Sequence, residues 1–282
     1  MRLGGFTAFV VALAVCAPVA AAAGDPQIAA VQVVLHERGL YDGTIDGVDG
    51  PTTRRGLVDL QRRAGLIADG IVGPQTIAAL GGTLGSRARP LSLGAKGFDV
   101  AALQFALAWH GFPCGWFDGR LGLHTEAALR RFQRWAGIAV DGKAGPATLA
   151  ALERPLPVAP VSLADPVDGV VGDPFGPRGT RFHAGVDLIA PFGTPVTAAA
   201  VGRVTWAGFL AGGWGKLVIV AHGHGLKTLY AHLTRIDVHV GEPVAVGSQL
   251  GLVGATGDAT GPHLHFEVRV RGAAVDPLPA LR

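Results

Sequence analysis

The sequence predicts two small all-α modules of three helices each, followed by a mainly antiparallel β-domain. Three observations carry that prediction. A shift of 72 residues, which lays Gln32 on Gln104, matches the chain to itself without a gap. A turn-plus-helix motif recurs inside each copy. From Pro166 onward, short apolar runs alternate with Gly and Pro instead of following a helical period. At 282 residues the chain has room for such a set of domains and an ample core for at least one of them.

The N-terminus has Arg2, a short apolar run from Phe6 to Val15, Pro18, and then Ala20-Ala21-Ala22-Ala23. That layout is a secretory signal peptide over residues 1–23, removed on export. A retained membrane anchor is the runner-up, because the uncharged stretch is just long enough to span. Leu13-Ala14-Val15-Cys16 also hints at lipoprotein processing, although Val before Cys fits poorly. Cleavage after the alanines leaves Cys114 as the single cysteine, so no internal disulfide is expected. Lys and Arg exceed Asp and Glu by 3, with no basic stripe interleaved with aromatics. Nucleic acid is therefore not expected as a partner, nor is a stable membrane span after signal cleavage, and the chain is expected to be a monomer.

The repeats occupy residues 25–82 and 92–153. Gln32, Leu35, Gly39 and Gly43 fall on Gln104, Leu107, Gly111 and Gly115; Gln61, Gly65 and Leu80 fall on Gln133, Gly137 and Leu152. Within each copy Asp-Gly-x-x-Gly recurs 23 residues on, starting at Asp46 and Asp69, and again at Asp118 and Asp141. Asp-Gly supplies a tight turn with a left-handed residue, and Gly-Pro puts Pro in the first helical turn, where no N–H is needed. These residues are read as structural. His36, His110 and His124 show no paired spacing and are read as surface or packing residues. Residues 154–165, with Pro155, Pro157 and Pro160, read as a stiff extended spacer.

Residues 166–282 form the β-domain. Its expected strands include Val196–Ala200, Gly202–Ala207, Leu217–Ala221, Lys227–Ala231, Gln249–Val253 and Leu264–Val270. Seven of the ten histidines lie here. His183 and Asp187 are four residues apart, and His263 and His265 two apart. In an extended strand each pair shares a face. Two imidazoles and a carboxylate make a complete protein ligand set for a catalytic zinc, with a histidine to spare. A structural zinc is disfavoured, because such sites usually close with four protein ligands.

The modules resemble the type 1 peptidoglycan-binding domain. The second copy follows that pattern nearly throughout; the first departs from it at Gly56-Leu57 and Leu60. The resemblance implies three-helix folds that hold cell-wall polymer. In the β-domain, Gly176-Pro-Arg-Gly-Thr-Arg-Phe-His183-Ala-Gly-Val-Asp187, Tyr230-Ala-His232-Leu and Thr260-Gly-Pro-His263-Leu-His265-Phe-Glu-Val resemble the M23 zinc metallopeptidases of the lysostaphin or LytM type. That resemblance covers about residues 165–280. It implies His183, Asp187 and His265 as zinc ligands and His232 and His263 as catalytic residues, with the base left open between the two. It further implies peptidoglycan as substrate, and a secreted, wall or periplasmic location. A non-catalytic wall-binding role is the alternative, since some relatives have lost ligands. Glu267 shares a strand face with His263 and His265, as a support to the site or as a surface residue. Arg178 and Tyr230 are read equally as site supports or packing, His222 as a strand-end residue, and His224 and His239 as solvent-facing. On this reading, deletion of residues 25–153 weakens wall binding.

Overall fold

The computed structural model describes residues 24–81 and 90–282. The signal peptide expected over residues 1–23 lies outside them. No helix among the described residues is long and apolar enough to cross a membrane.

Each helical repeat is three helices: α1 Pro26–Glu37, α2 Pro51–Arg63 and α3 Pro74–Ala79, then α4 Phe98–Trp109, α5 Leu123–Ala136 and α6 Pro146–Leu152. Proline opens α2, α3 and α6, as Gly-Pro predicts, and opens α1 after the N-cap Asp25; α5 starts on Leu123 after Gly122. A buried glutamine explains the inner repeat. The Gln32 amide donates to Asp46 Oδ1 (2.7 Å) and Thr53 Oγ1 (3.1 Å), while its Oε1 accepts from the Gly47 N–H (2.9 Å). Gln61 does the same with Asp69, Thr76 and Gly70, Gln104 with Asp118, Thr125 and Gly119, and Gln133 with Asp141, Thr148 and Gly142. The four glycines have φ between 60° and 72°, in the left-handed region, which is why Gly follows Asp each time.

The β-domain contains β1 Val170–Val171, β2 Gly176–Arg178, β3 Arg181–His183, β4 Val186–Ile189, β5 Pro195–Thr197, β6 Gly202–Leu210, β7 Gly215–Ala221, β8 Leu226–Leu233, β9 Arg235–Ile236, β10 Pro243–Val244, β11 Gln249–Leu252, β12 His263–Val270 and β13 Ala273–Val275. The main sheet runs β1-β4-β12-β8-β7-β6-β10, with β13 beside β12; β5-β11-β9 and the β2-β3 hairpin complete the domain. Every strand pairing is antiparallel. The run expected over Val196–Ala200 stops as a strand at Thr197. Beyond it, Ala198 N–H bonds to the Ser248 carbonyl and Ala199 N–H to the Tyr230 hydroxyl. One face of the main sheet is the core: Val186 and Leu188 of β4 and Leu264, Phe266 and Val268 of β12 are buried there with Tyr230. The alternate residues of β4 and β12 face a cleft.

The modules are not strung out ahead of the β-domain. Helices α1 and α4 share a core that also takes in Phe182, with Phe175 and Trp109 packed against it. Trp109 stands edge-on to Phe182 at 5.3 Å, and Phe182 to Phe175 at 5.0 Å. Ala273 of β13 is buried in the core of the second module, and Ala274 N–H donates to the Gly111 carbonyl at 3.0 Å. The segment read as a spacer over 154–165 is part of the β-fold at its end. Leu163 is buried in that core and bridges Leu281, because an apolar side chain in the spacer gains more from the core than from solvent.

Candidate metal centre and catalytic cleft

Neighbouring strands bring the donors together. In the β4–β12 pair, His265 lies opposite Asp187 and His263 opposite Ile189. His183 ends β3, so it and Asp187 sit on two strands and not on one extended run. The chain breaks direction at Ala184-Gly185, and Gly185 is required there: a Cβ would overlap the Phe266 carbonyl oxygen and press on His265.

Three atoms converge. His183 Nε2 is 3.0 Å from Asp187 Oδ1 and 3.0 Å from His265 Nδ1, and His265 Nδ1 is 2.8 Å from Asp187 Oδ1. The opposite ring nitrogens are already engaged: His183 Nδ1 donates to the Pro174 carbonyl at 2.8 Å, and His265 Nε2 to Glu267 Oε1 at 3.3 Å. Those bonds hold both rings in the tautomer whose lone pair points at the shared centre. One proton cannot satisfy two facing nitrogens and a carboxylate together, whereas a cation can, so the donor set fits a metal ion. Electrostatics agree. Burial alone would raise the Asp187 carboxyl, but hydrogen bonds from His183 and His265 outweigh it and hold it well below the usual range. Burial alone would lower His265, but Asp187 and Glu267 push it up to about 9. The pocket attracts positive charge.

The supports are ionic. Glu267, 2% exposed, is a buried carboxylate held ionised by Arg269, whose Nε donates at 2.7 Å, and by His265. Of the two open readings of Glu267, the structure takes the support. Arg178 bridges Asp187 Oδ2 (3.1 Å) and Asp173 Oδ2 (3.0 Å), fixing the carboxylate rotamer.

His232 and His263 stand beside the donor triangle, their ring centres 4.8 Å apart. His263 Nδ1 donates to the Gly261 carbonyl at 2.9 Å, and its Nε2 is 3.7 Å from Asp187 Oδ1. His232 Nδ1 donates to the Thr256 carbonyl at 2.8 Å; burial lowers its basicity. His232 has φ +62°, a left-handed conformation costly for histidine, at the end of β8 where its ring turns toward the cleft. The cleft has a volume of about 950 Å³, and its lining includes all five sequence-predicted residues and Trp214 of the β6–β7 turn. Trp214, to which no sequence pattern assigns a role, stands edge-on to His265 at 5.7 Å. Tyr230 lies on the core side, bonded to Thr228 and through it to His222, so both are structural. His224 and His239 are exposed.

Comparison with known proteins follows the same division of the chain. The peptidase family M23 model matches residues 181–277, and the peptidoglycan binding domain model matches residues 24–80 and 96–152. The DD-carboxypeptidase/endopeptidase Mpg of Neisseria meningitidis is 44% identical over 114 residues, which are 38% of this chain and 26% of that protein. The peptidoglycan DD-endopeptidase ShyA of Vibrio cholerae is 41% identical over 98 residues, 35% of this chain and 23% of its own length. Among solved structures, the catalytic domain of lysostaphin from Staphylococcus simulans is 34% identical; the match covers 39% of this chain and 90% of that one, with a TM-score of 0.37. The chain spans about a quarter of the length of the curated relatives it matches. It carries two peptidoglycan binding domains and, after them, a C-terminal domain that belongs to peptidase family M23.

Proposed function

We propose that the chain is an exported, zinc-dependent endopeptidase that hydrolyses peptide crosslinks or stems of bacterial peptidoglycan, working at the cell wall or in the periplasm and held there by its two N-terminal modules. The observation that carries this reading is the convergence of His183, Asp187 and His265 on one point, with His232 and His263 beside it. Three protein donors with an open side are the pattern of a catalytic zinc, not a structural one. Zinc held there supplies Lewis acidity to the scissile carbonyl and to the attacking water.

The chain's own residues do the rest. Both cleft histidines spend Nδ1–H on a backbone carbonyl, so each presents Nε2 to the substrate. A neutral Nε2 accepts the water's proton and later passes it to the leaving amine. A protonated Nε2 donates to the developing oxyanion, a contribution of about 3 kcal/mol for one donor. The two roles therefore need opposite protonation states, and the reading holds with either histidine as base. Export rests on the sequence pattern of residues 1–23.

The test is the full chain incubated with purified cell walls, with released fragments read by mass spectrometry and bound metal by elemental analysis. Cleavage and about one zinc per chain are expected, with activity lost on chelation and regained with zinc. His265→Ala loses both metal and cleavage, while His263→Ala and His232→Ala keep the metal and lose cleavage. A fully active His263→Ala chain would remove that residue from the reaction.

A further inference from the structure

Two cations line the cleft, Arg178 and Arg181, and they are used differently. Arg178 is neutralised between Asp173 and Asp187. Arg181 has no carboxylate partner among the described residues. Its guanidinium carbon instead lies 3.5 Å from the ring centre of Trp116, which belongs to the second helical module and is 54% exposed. Arg181 precedes His183 by two positions in β3, so both side chains leave the strand on the same face, about 7 Å apart along it. The intervening Phe182 points the other way, into the core that the modules share.

The platform is anchored on both sides. Phe117 N–H donates to the Thr180 carbonyl at 2.8 Å, and Ile45 N–H of the first module to the Gly179 carbonyl at 2.9 Å. Trp116 and Arg181 are thereby held in register by adjacent backbone bonds. Stacking on an indole face orders a guanidinium while leaving its N–H edge free for a ligand. Across the sheet, beyond β12, Asp258 lines the same cleft beside Gly213. The cleft is therefore polarised, with a free cation on the β3 side of the metal donors and a carboxylate on the other.

We propose that Arg181, presented by Trp116, is a substrate-binding residue that takes a carboxylate of the peptide lying in the cleft, which selects anionic stem peptides over neutral, glycine-rich bridges. The inference rests on the endopeptidase reading and adds that the binding site is shared between the peptidase domain and the second module. A fork of N–H donors on one carboxylate is a charge-assisted contact, and its loss weakens binding by about tenfold to a hundredfold.

The test measures binding to the full chain after chelation, so that nothing is hydrolysed. The probes are synthetic stem peptides with free carboxylates and the same peptides fully amidated. The unmodified chain is expected to bind the free acids at least about tenfold more tightly. Arg181→Ala should bring the two affinities together, Arg181→Lys should restore part of the difference, and Trp116→Ala should reduce it while Trp116→Phe keeps most of it. Equal affinity for acid and amide in the unmodified chain overturns the proposal, and so does a preference that survives Arg181→Ala. Failure of the endopeptidase reading looks different: the zinc-loaded chain would release no fragments from walls although its preference for carboxylates persisted.

Discussion

Glu267 shows how a residue's surroundings decide its role. From sequence it could face solvent or support the site, because period-two alternation puts it on the face of His265 and says nothing of what covers that face. In the fold it is buried, accepts from His265 Nε2 and is neutralised by Arg269. Glu267→Gln removes the charge that makes His265 a strong donor, and metal affinity should fall about tenfold to a hundredfold. Competition with a chelating dye measures it; unchanged affinity would reduce Glu267 to a packing residue. His183, Asp187, His263 and His265 stand out in the sequence because their types and spacings are unusual together, whereas His232 has no such spacing and is suggested by the family resemblance alone. Trp214 and Arg181 do not stand out, since an aromatic in a glycine-rich turn and an arginine in a hairpin are ordinary until a cleft forms around them.

At the scale of elements, the turn-plus-helix repeat was visible as Asp-Gly and Gly-Pro, but its cause was not. The glutamine that ties each turn to the next helix is 14 residues before Asp46 and 8 before Asp69, so no constant spacing reveals it. The β3–β4 corner is the reverse case. His183 and Asp187 were expected to share a strand, and the direction change at Gly185 puts them on two. Gly185→Ala should force β4 from β12, costing about 1–3 kcal/mol of stability as overpacking does, and should lower metal occupancy together with the melting temperature. Full occupancy at unchanged stability would show that the corner tolerates a side chain.

At the scale of the whole molecule, the modules are part of the β-domain's packing. Phe182 lies one position from His183 and is buried against both modules, with Phe175 and Trp109 beside it. Deleting residues 25–153, which the sequence predicts to weaken wall binding, therefore also uncovers apolar side chains of the β-domain. Exposing one such aromatic forfeits about 1.5–3 kcal/mol, so the truncated domain should melt at a lower temperature than the full chain and bind a dye that reports apolar surface. Equal melting temperatures would mean the interface contributes nothing to the β-domain. The repeat, the β-class of the C-terminal domain and the donor types for a metal are readable along the chain, because these depend on local periodicity and side-chain chemistry. The fold alone establishes what covers Glu267, that the spacer's end enters the core, and that a tryptophan from one module stacks on an arginine of the cleft. Those are contacts between segments far apart in the chain, and they are chosen by the burial of apolar surface, which no local pattern encodes.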